Sequence, residues 1–365
     1  MTNNANNYRQ LGLRKRLGLE IFRQMQNNLV KEHPLQQLFW ECTLRCNLHC
    51  RHCGSDCRRE ASQNDMPAED FLRVLDSVSR HYDPHKVFVV ISGGEPLMRD
   101  DLEACGRQIY ERGFPWGMVT NGLYLTAERF SALMDAGLHS MTVSLDGLEQ
   151  NHNWMRGHAD SFRRVSEALD LMVAEPRLVF DVVTCVNERN YAELPALREF
   201  LIEKGVKAWR VVTVFPAGRA ANDPAMRLTT ARMRGVMDFI RDTRADGRIE
   251  ASYGCEGFLG CLEHDVRDYF YHCSAGVTVA SVLIDGSISA CTSIRSNFHQ
   301  GNIYKDDFMD VWENRFEPYR HREWMRQGVC ADCNMFRYCQ GNGMHLRDDN
   351  GQLMMCNLRK LEGKE

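Results

Sequence analysis

The chain has 365 residues, a formal net charge of −4 and 44% hydrophobic residues. This length suits one large or two modest domains, and the slightly acidic balance argues against a nucleic-acid partner. No apolar run is long enough to span a bilayer, and residues 1–7 lack the apolar core of a signal peptide. We therefore predict a cytoplasmic protein without a transmembrane segment.

The chain contains fifteen cysteines. In a chain without an export signal, so many cysteines indicate metal clusters rather than disulfides. We therefore expect a reducing and anoxic environment.

Residues 1–37 are predicted to form an amphipathic helical segment. The stretch 8–29 places apolar residues such as Leu17, Ile21 and Met25 beside several arginines. Our first interpretation is a cap packed on the following domain. Docking of an acidic peptide or of a membrane surface is the alternative.

Residues 38–220 alternate between short β-branched or aromatic runs and helix-like segments. The six predicted strands are 38–42, 86–92, 116–120, 140–145, 178–186 and 208–214. The helices between them are predicted at 68–80, 101–111, 127–136, 162–173 and 194–204. This alternation predicts an α/β fold, with a parallel sheet and right-handed crossovers.

Three cysteines follow the first predicted strand at C-x3-C-x2-C spacing, namely Cys46, Cys50 and Cys53. A cluster that only transfers electrons takes four protein ligands, so three thiolates on a [4Fe–4S] cluster leave one iron open to a small molecule. A zinc site completed by Cys42 or Cys57 is the alternative.

Other motifs follow the next three strands, at Gly93-Gly94-Glu95-Pro96, Thr120-Asn121-Gly122 and Ser144-Leu145-Asp146-Gly147. The carboxyl ends of parallel strands carry the ligand site in such folds. We therefore predict that these motifs and the cysteines share one rim of the sheet.

The cysteine triad followed by Gly93-Gly94-Glu95-Pro96 resembles the radical S-adenosylmethionine (SAM) superfamily. The resemblance implies a partial (β/α)6 barrel and a [4Fe–4S] cluster that cleaves SAM to start hydrogen abstraction. It assigns SAM binding to Gly93, Gly94, Glu95, His52, Ser144 and Arg164. For the last two, a strand-end serine and a solvated helix arginine are equally good interpretations.

Residues 221–365 change character: a helix predicted at 230–245 is followed by a cysteine-rich region. The spacing of Cys273, Cys291, Cys330, Cys333, Cys339 and Cys356 resembles that of the SPASM extension, which carries auxiliary iron–sulfur clusters in peptide-modifying radical SAM enzymes. The resemblance implies one or two auxiliary clusters, expected as [4Fe–4S]. One set is Cys330, Cys333, Cys339 and Cys356, for which zinc is again the alternative.

The other auxiliary set departs from the pattern, because Gly343 stands where such domains usually have a returning cysteine. We expect Cys273 and Cys291 to be joined by Cys255 and Cys261 in a closed four-cysteine site. If only one of the latter two binds, an iron stays open to substrate. Cys42, Cys57, Cys105 and Cys185 fit no pattern and are expected to pack in the core.

The predicted activity is that of an oxidoreductase that abstracts hydrogen from a peptide or protein side chain and oxidises or cross-links it. A low-potential electron donor such as flavodoxin or ferredoxin is the expected partner. The alternatives are a small-molecule substrate (a sugar, an alcohol or a tetrapyrrole side chain) and a non-catalytic iron–sulfur or zinc scaffold. Thr292 stands where similar sulfatase maturases have an aspartate base, which argues against that activity.

Overall fold

The structure is a computed structural model that describes residues 7–254 and 256–364. Its strands are β1 Gln37–Thr43, β2 Phe88–Gly93, β3 Trp116–Thr120, β4 Leu138–Ser144, β5 Val179–Val186, β6 Ala208–Thr213, β7 Glu250–Tyr253, β8 Val279–Val282, β9 Ser287–Ser289 and β10 Gly301–Asn302. Its helices are α1 Leu13–Glu32, α2 Ala68–Val78, α3 Leu102–Glu111, α4 Ala127–Asp135, α5 Glu149–Arg156, α6 Ser161–Val173, α7 Leu194–Lys204, α8 Thr230–Asp246, α9 Phe308–Asn314, α10 Glu317–Arg320, α11 Phe336–Cys339 and α12 Asn357–Glu362.

All these strands belong to one ten-stranded sheet with the order β10-β9-β8-β1-β2-β3-β4-β5-β6-β7. Strands β1 to β7 pair in parallel, and β8 joins β1 in parallel on its other side. The predicted α/β class and its parallel sheet are confirmed. The boundary predicted at residue 220 stays a prediction, and the sheet runs across it because β7 and β8 pair with β6 and β1.

The core lies between this sheet and the crossover helices. The crossover helices pack on the sheet because each has an apolar face. Helix α2 is an example, since its buried residues recur at helical spacing, namely Phe71, Leu72, Leu75 and Val78. The Phe71 ring stacks on Trp40 of β1 with ring centroids 4.8 Å apart. This contact fixes α2 against the strand that carries the cysteine loop.

Helix α1 forms where the sequence predicts it, but it packs on the cysteine-rich region. Lys15 donates to Asp265 at 3.0 Å, and the Tyr338 hydroxyl donates to Glu20 at 2.6 Å. Much of the predicted apolar stripe does not face a core, since Leu17, Ile21 and Met25 are 61%, 56% and 61% exposed. The buried residue of the helix is Leu19, and Leu11, which the apolar pattern includes, is buried just before the helix begins. Within the described residues, no helix has the length and apolar character needed to cross a bilayer.

We predict that Phe71→Ala lowers the free energy of unfolding by about 3–5 kcal/mol, because it leaves a cavity against Trp40. Urea unfolding followed by circular dichroism measures the change. The control Val173→Ala, at a residue 38% exposed on α6, should shift stability by no more than about 0.5 kcal/mol. Equal effects of the two substitutions would contradict this account of the α2 contact.

Candidate functional site

The cysteine triad lies in the loop after β1 and lines a cavity of about 150 Å³. Gly93, Gly94, Glu95, Ser144 and His52 line the same cavity, so the structure brings together every predicted SAM-site residue except Arg164. Three thiols on one short loop, beside a wall of glycine backbone, suit a three-thiolate iron–sulfur cluster with a small molecule next to it.

Gly93 and Gly94, at the end of β2, are required because the backbone of residues 43–45 passes too close for a side chain. A Cβ on Gly93 would lie 2.1 Å from the Thr43 carbonyl oxygen, and one on Gly94 would lie 2.3 Å from that of Arg45. Gly93 also has φ of +140°, which L side chains rarely adopt. These glycines therefore hold the base of the cysteine loop, in addition to lining the cavity.

Glu95 is 1% exposed, and both of its carboxylate oxygens have protein partners. One accepts from the Thr120 hydroxyl at 2.7 Å and the other from the Asn121 amide at 2.7 Å. Burial raises the pKa of this carboxyl group. Glu95 thus joins the ends of β2 and β3, which is a positioning role beside the SAM contact that the sequence predicts.

His52 lies between two of the cysteines and is directed at the interior of the barrel. Its ring, the Asp146 carboxylate and the Cys185 thiol have ligand atoms within 4.8 Å of one another. Burial lowers the pKa of His52 to about 4, so the ring is neutral at physiological pH. Cys185, which the sequence assigned to packing, therefore faces a polar group of the site.

Arg164 does not reach the cavity. Its side chain is 47% exposed on α6 and pairs with Glu167 at 3.3 Å, as expected for a solvated helix arginine. Arg156, at the end of α5, lines the cavity instead, with its Nε 2.7 Å from Asp146 and its Nη1 3.7 Å from the Cys50 sulfur. No local motif in the sequence indicates Arg156, because Gly157 after it marks only the end of α5.

Arg219, in the segment after β6, was missed by the sequence analysis. Its guanidinium donates to the carbonyl oxygens of Cys50 at 2.7 Å and Cys57 at 3.0 Å, and to Asp56 at 2.7 Å. Its backbone amide donates to the Cys53 carbonyl at 3.0 Å. The contact joins segments far apart in sequence and has no local motif. It fixes the cysteine loop through the carbonyl groups of three of its cysteines.

Cys42 and Cys57 are the two cysteines that could complete a zinc site with the triad, and only Cys57 lines the cavity. A hydrogen bond from the Cys57 thiol lowers the pKa of Cys53. Cys42 is buried behind the loop, close to Arg99 and Cys105. Cys57 is buried, as the packing prediction expects, and its thiol also lies beside the triad.

The second auxiliary set converges as predicted by the spacing. All four of its cysteines line one small cavity, together with Arg9, Met335, Phe336 and Leu358. Burial, and then the neighbouring thiols of Cys356, Cys330 and Cys333, raise the pKa of Cys339 well above its ordinary value. Four converging thiols suit a tetrahedral metal or an iron–sulfur cluster.

In the first auxiliary set, the cysteines that the structure describes have different electrostatic neighbours. The charge of Cys273 raises the pKa of Cys291, after burial, so these two thiols are neighbours. Cys261 instead has Lys15 and Asp265 as its electrostatic neighbours. Cys255 lies outside the described residues. Ligation by both Cys255 and Cys261 therefore stays a prediction.

At Gly343, the space for a side chain is already taken by His345. A Cβ built at this position would lie 2.7 Å from the His345 Cε1 atom and 2.9 Å from its Nδ1 atom. A cysteine here would require the imidazole to move. Burial lowers the pKa of His345 to about 4, so a neutral imidazole stands beside the position of the missing thiolate.

A larger cavity, of about 650 Å³, lies between the end of β6, α8 and the C-terminal region. Its wall includes Val214, Leu228, Met233, Leu353 and Met354, and four cationic residues reach it, namely Arg227, Arg359, Lys360 and Lys364. Cys356 of the second auxiliary set forms part of its wall. Pro216 and Ala221 also line this larger cavity. Between them in the sequence is Arg219, which lines the triad cavity.

Two protein-family models match the chain. The model of the radical SAM superfamily matches residues 40–201, and that of the SPASM iron–sulfur cluster-binding domain matches residues 273–334. The AdoMet-dependent heme synthase of Methanosarcina barkeri is 26% identical over 320 residues, which cover 83% of this chain and 89% of that protein. The mycofactocin maturase MftC of Mycolicibacterium smegmatis is 27% identical over 318 residues, covering 84% of this chain and 77% of that protein.

Among solved structures, Streptococcus suis SuiB bound to its precursor peptide SuiA has a TM-score of 0.68. It is 18% identical, and the match covers 87% of this chain and 74% of SuiB. At this identity the likeness concerns the fold.

We predict that Arg156→Gln weakens SAM binding to the reconstituted enzyme by about tenfold or more, as expected when a charge-assisted hydrogen bond is lost. Arg164→Gln should change it by less than about twofold, because its guanidinium lies on the surface. Calorimetry measures affinity and iron analysis checks that the cluster is present. Arg156→Lys, which keeps the charge opposite Asp146, controls for misfolding. The reverse order of the two glutamine variants would restore Arg164 as the SAM ligand.

Proposed function

Because the chain is a radical SAM enzyme with a SPASM domain, we propose that it oxidises a carboxylate-bearing side chain of a tetrapyrrole. The observation that carries this proposal is the 650 Å³ cavity with an apolar wall and four cations. Its volume lies within the range of about 300–1,000 Å³ that is common for ligand sites. A flat apolar macrocycle with anionic substituents needs this combination of surfaces.

Two of these cations are available to a substrate anion. Arg227 donates to the Ala221 carbonyl at 2.8 Å and Arg359 to that of Lys364 at 2.6 Å. Within the described residues, neither guanidinium pairs with a carboxylate. An arginine binds a carboxylate through parallel hydrogen bonds, so both are suited to orient a propionate group.

The position of the cavity also supports an oxidation. When bound, the reduced cluster and SAM supply the hydrogen abstraction. Loss of one hydrogen atom and one electron from a propionate side chain releases carbon dioxide and leaves a vinyl group. Cys356 belongs to both the cavity wall and the second auxiliary set, so a metal cluster there is close enough to take the electron.

The relatives support the same substrate class, since one of them is by name an AdoMet-dependent heme synthase and aligns over 83% of this chain. A peptide or protein side chain is the second candidate. It is favoured by the likeness to MftC, a maturase by name, and the same cations would bind an acidic peptide. A cytoplasmic location and a flavodoxin or ferredoxin donor belong to this proposal as well.

The test adds Fe-coproporphyrin III, SAM and dithionite to the anaerobically reconstituted enzyme. We expect faster formation of 5′-deoxyadenosine and a porphyrin product that has lost one carbon dioxide and two hydrogen atoms, measured by mass spectrometry. Arg227→Gln with Arg359→Gln should weaken porphyrin binding by about tenfold or more. The control Arg241→Gln, on the exposed face of α8 with Asp238 and Asp242 as partners, should leave binding unchanged.

The absence of porphyrin binding to a fully loaded enzyme would overturn the tetrapyrrole proposal. Stimulation of SAM cleavage by a precursor peptide, without a response to porphyrin, would establish the second candidate. Iron content and basal SAM cleavage in each variant separate a lost substrate contact from a lost cluster.

A further inference from the structure

The second auxiliary set is contacted by two arginines that come from opposite ends of the chain. Arg347 has its Nη2 atom 3.7 Å from the Cys330 sulfur, and Arg9 has its Nη1 atom 3.3 Å from the Cys333 sulfur. Neither arginine was assigned a role by the cysteine pattern.

Arg347 is fully buried, at 0% exposure. Its guanidinium donates to the carbonyl oxygens of Gly341 at 2.8 Å, Gly351 at 2.6 Å and Met325 at 3.3 Å. No carboxylate pairs with it in residues 7–254 and 256–364. A buried charge is costly unless an opposite charge is near, and the neighbouring anion that the site offers is the thiolate set.

Arg9 reaches the cluster cavity from the N-terminal segment and forms part of its wall. Its Nε donates to Glu362 at 2.7 Å and its Nη1 to Asn334 at 3.0 Å. The preceding residue is fixed as well, because the Tyr8 carbonyl accepts from the Cys261 amide at 2.8 Å. These contacts hold the guanidinium against the Cys333 sulfur.

We propose that Arg9 and Arg347 form a cationic clamp that raises the reduction potential of an iron–sulfur cluster held by Cys330, Cys333, Cys339 and Cys356. A cluster with four thiolates carries net negative charge, and reduction makes that charge larger. Nearby cations and hydrogen bonds to the sulfurs stabilise the reduced form more than the oxidised form. The N-terminal segment is thereby a part of the auxiliary site, whatever the substrate of the enzyme.

The test is an anaerobic redox titration of the full chain followed by electron paramagnetic resonance. Replacing Cys46, Cys50 and Cys53 by alanine in every sample removes the signal of the cluster that this triad would hold. We expect Arg9→Gln to move the midpoint of the second auxiliary cluster to lower potential, and Arg9→Lys to keep part of the effect. Arg347→Gln should move it in the same direction, and the double variant further.

Arg337→Gln is the matched control. Arg337 lies on α11, beside Cys339, but its side chain is 55% exposed and pairs with Glu20, so its loss should leave the midpoint unchanged. If Arg347→Gln loses iron or unfolds, the Arg9 variants and Arg347→Lys decide the question. A midpoint unchanged in iron-replete Arg9→Gln would overturn the clamp. Zinc found in the second set of the wild-type chain would overturn it as well.

Discussion

The site depends on one packing constraint, which is the close approach of the glycine turn after β2 to the loop after β1. With a Cβ on Gly93 only 2.1 Å from the Thr43 carbonyl oxygen, no side chain fits there, and the Gly94 amide donates to that same oxygen at 2.8 Å. Because the turn fixes the start of the loop, the three thiols that follow have a defined direction. Arg219 fixes the other end through the Cys50 and Cys53 carbonyls. A three-thiolate site needs this rigidity, since no fourth ligand from the motif completes it.

A buried ion pair fixes the charged groups at the rim of the barrel. Asp146 is 0% exposed and pairs with Arg156, whose guanidinium lies near the Cys50 sulfur. Breaking a buried pair leaves an uncompensated charge and costs about 3–5 kcal/mol, so the carboxylate fixes the position of the arginine. Burial opposes ionisation of Asp146, and Arg156 lowers its pKa below the ordinary value. Asp146 thus acts on the cavity through Arg156.

Much of this arrangement could be predicted from the sequence, for identifiable reasons. The six strands of the first region and the rim that carries the motifs depend on local apolar patterns and on the geometry of parallel sheets. The choice between Arg156 and Arg164 could not be predicted, because it depends on which helix end faces the cavity. Arg219, Arg9 and Arg347 contact the cysteines across long stretches of chain, without local spacing to reveal them. The buried side of α1 could not be predicted either, since an amphipathic pattern does not say which surface will cover it, and in this helix Leu19 is buried while Leu17 is exposed.

The two halves of the chain treat charge differently, and this difference bears on electron flow. At the triad, the buried arginine has a protein carboxylate within 2.7 Å, so its charge is largely compensated before any cluster or SAM binds. At the second auxiliary set, Arg347 has carbonyl oxygens and a cysteine sulfur as partners, so its charge acts on whatever the thiols hold. Arg9 pairs with Glu362 at 2.7 Å and acts there through its hydrogen bond to the Cys333 sulfur. A cluster in the first environment is less stabilised on reduction than one in the second. Under the clamp proposed above, an electron released in the large cavity, whose wall includes Cys356, would rest on a cluster at the auxiliary set in preference to the triad cluster.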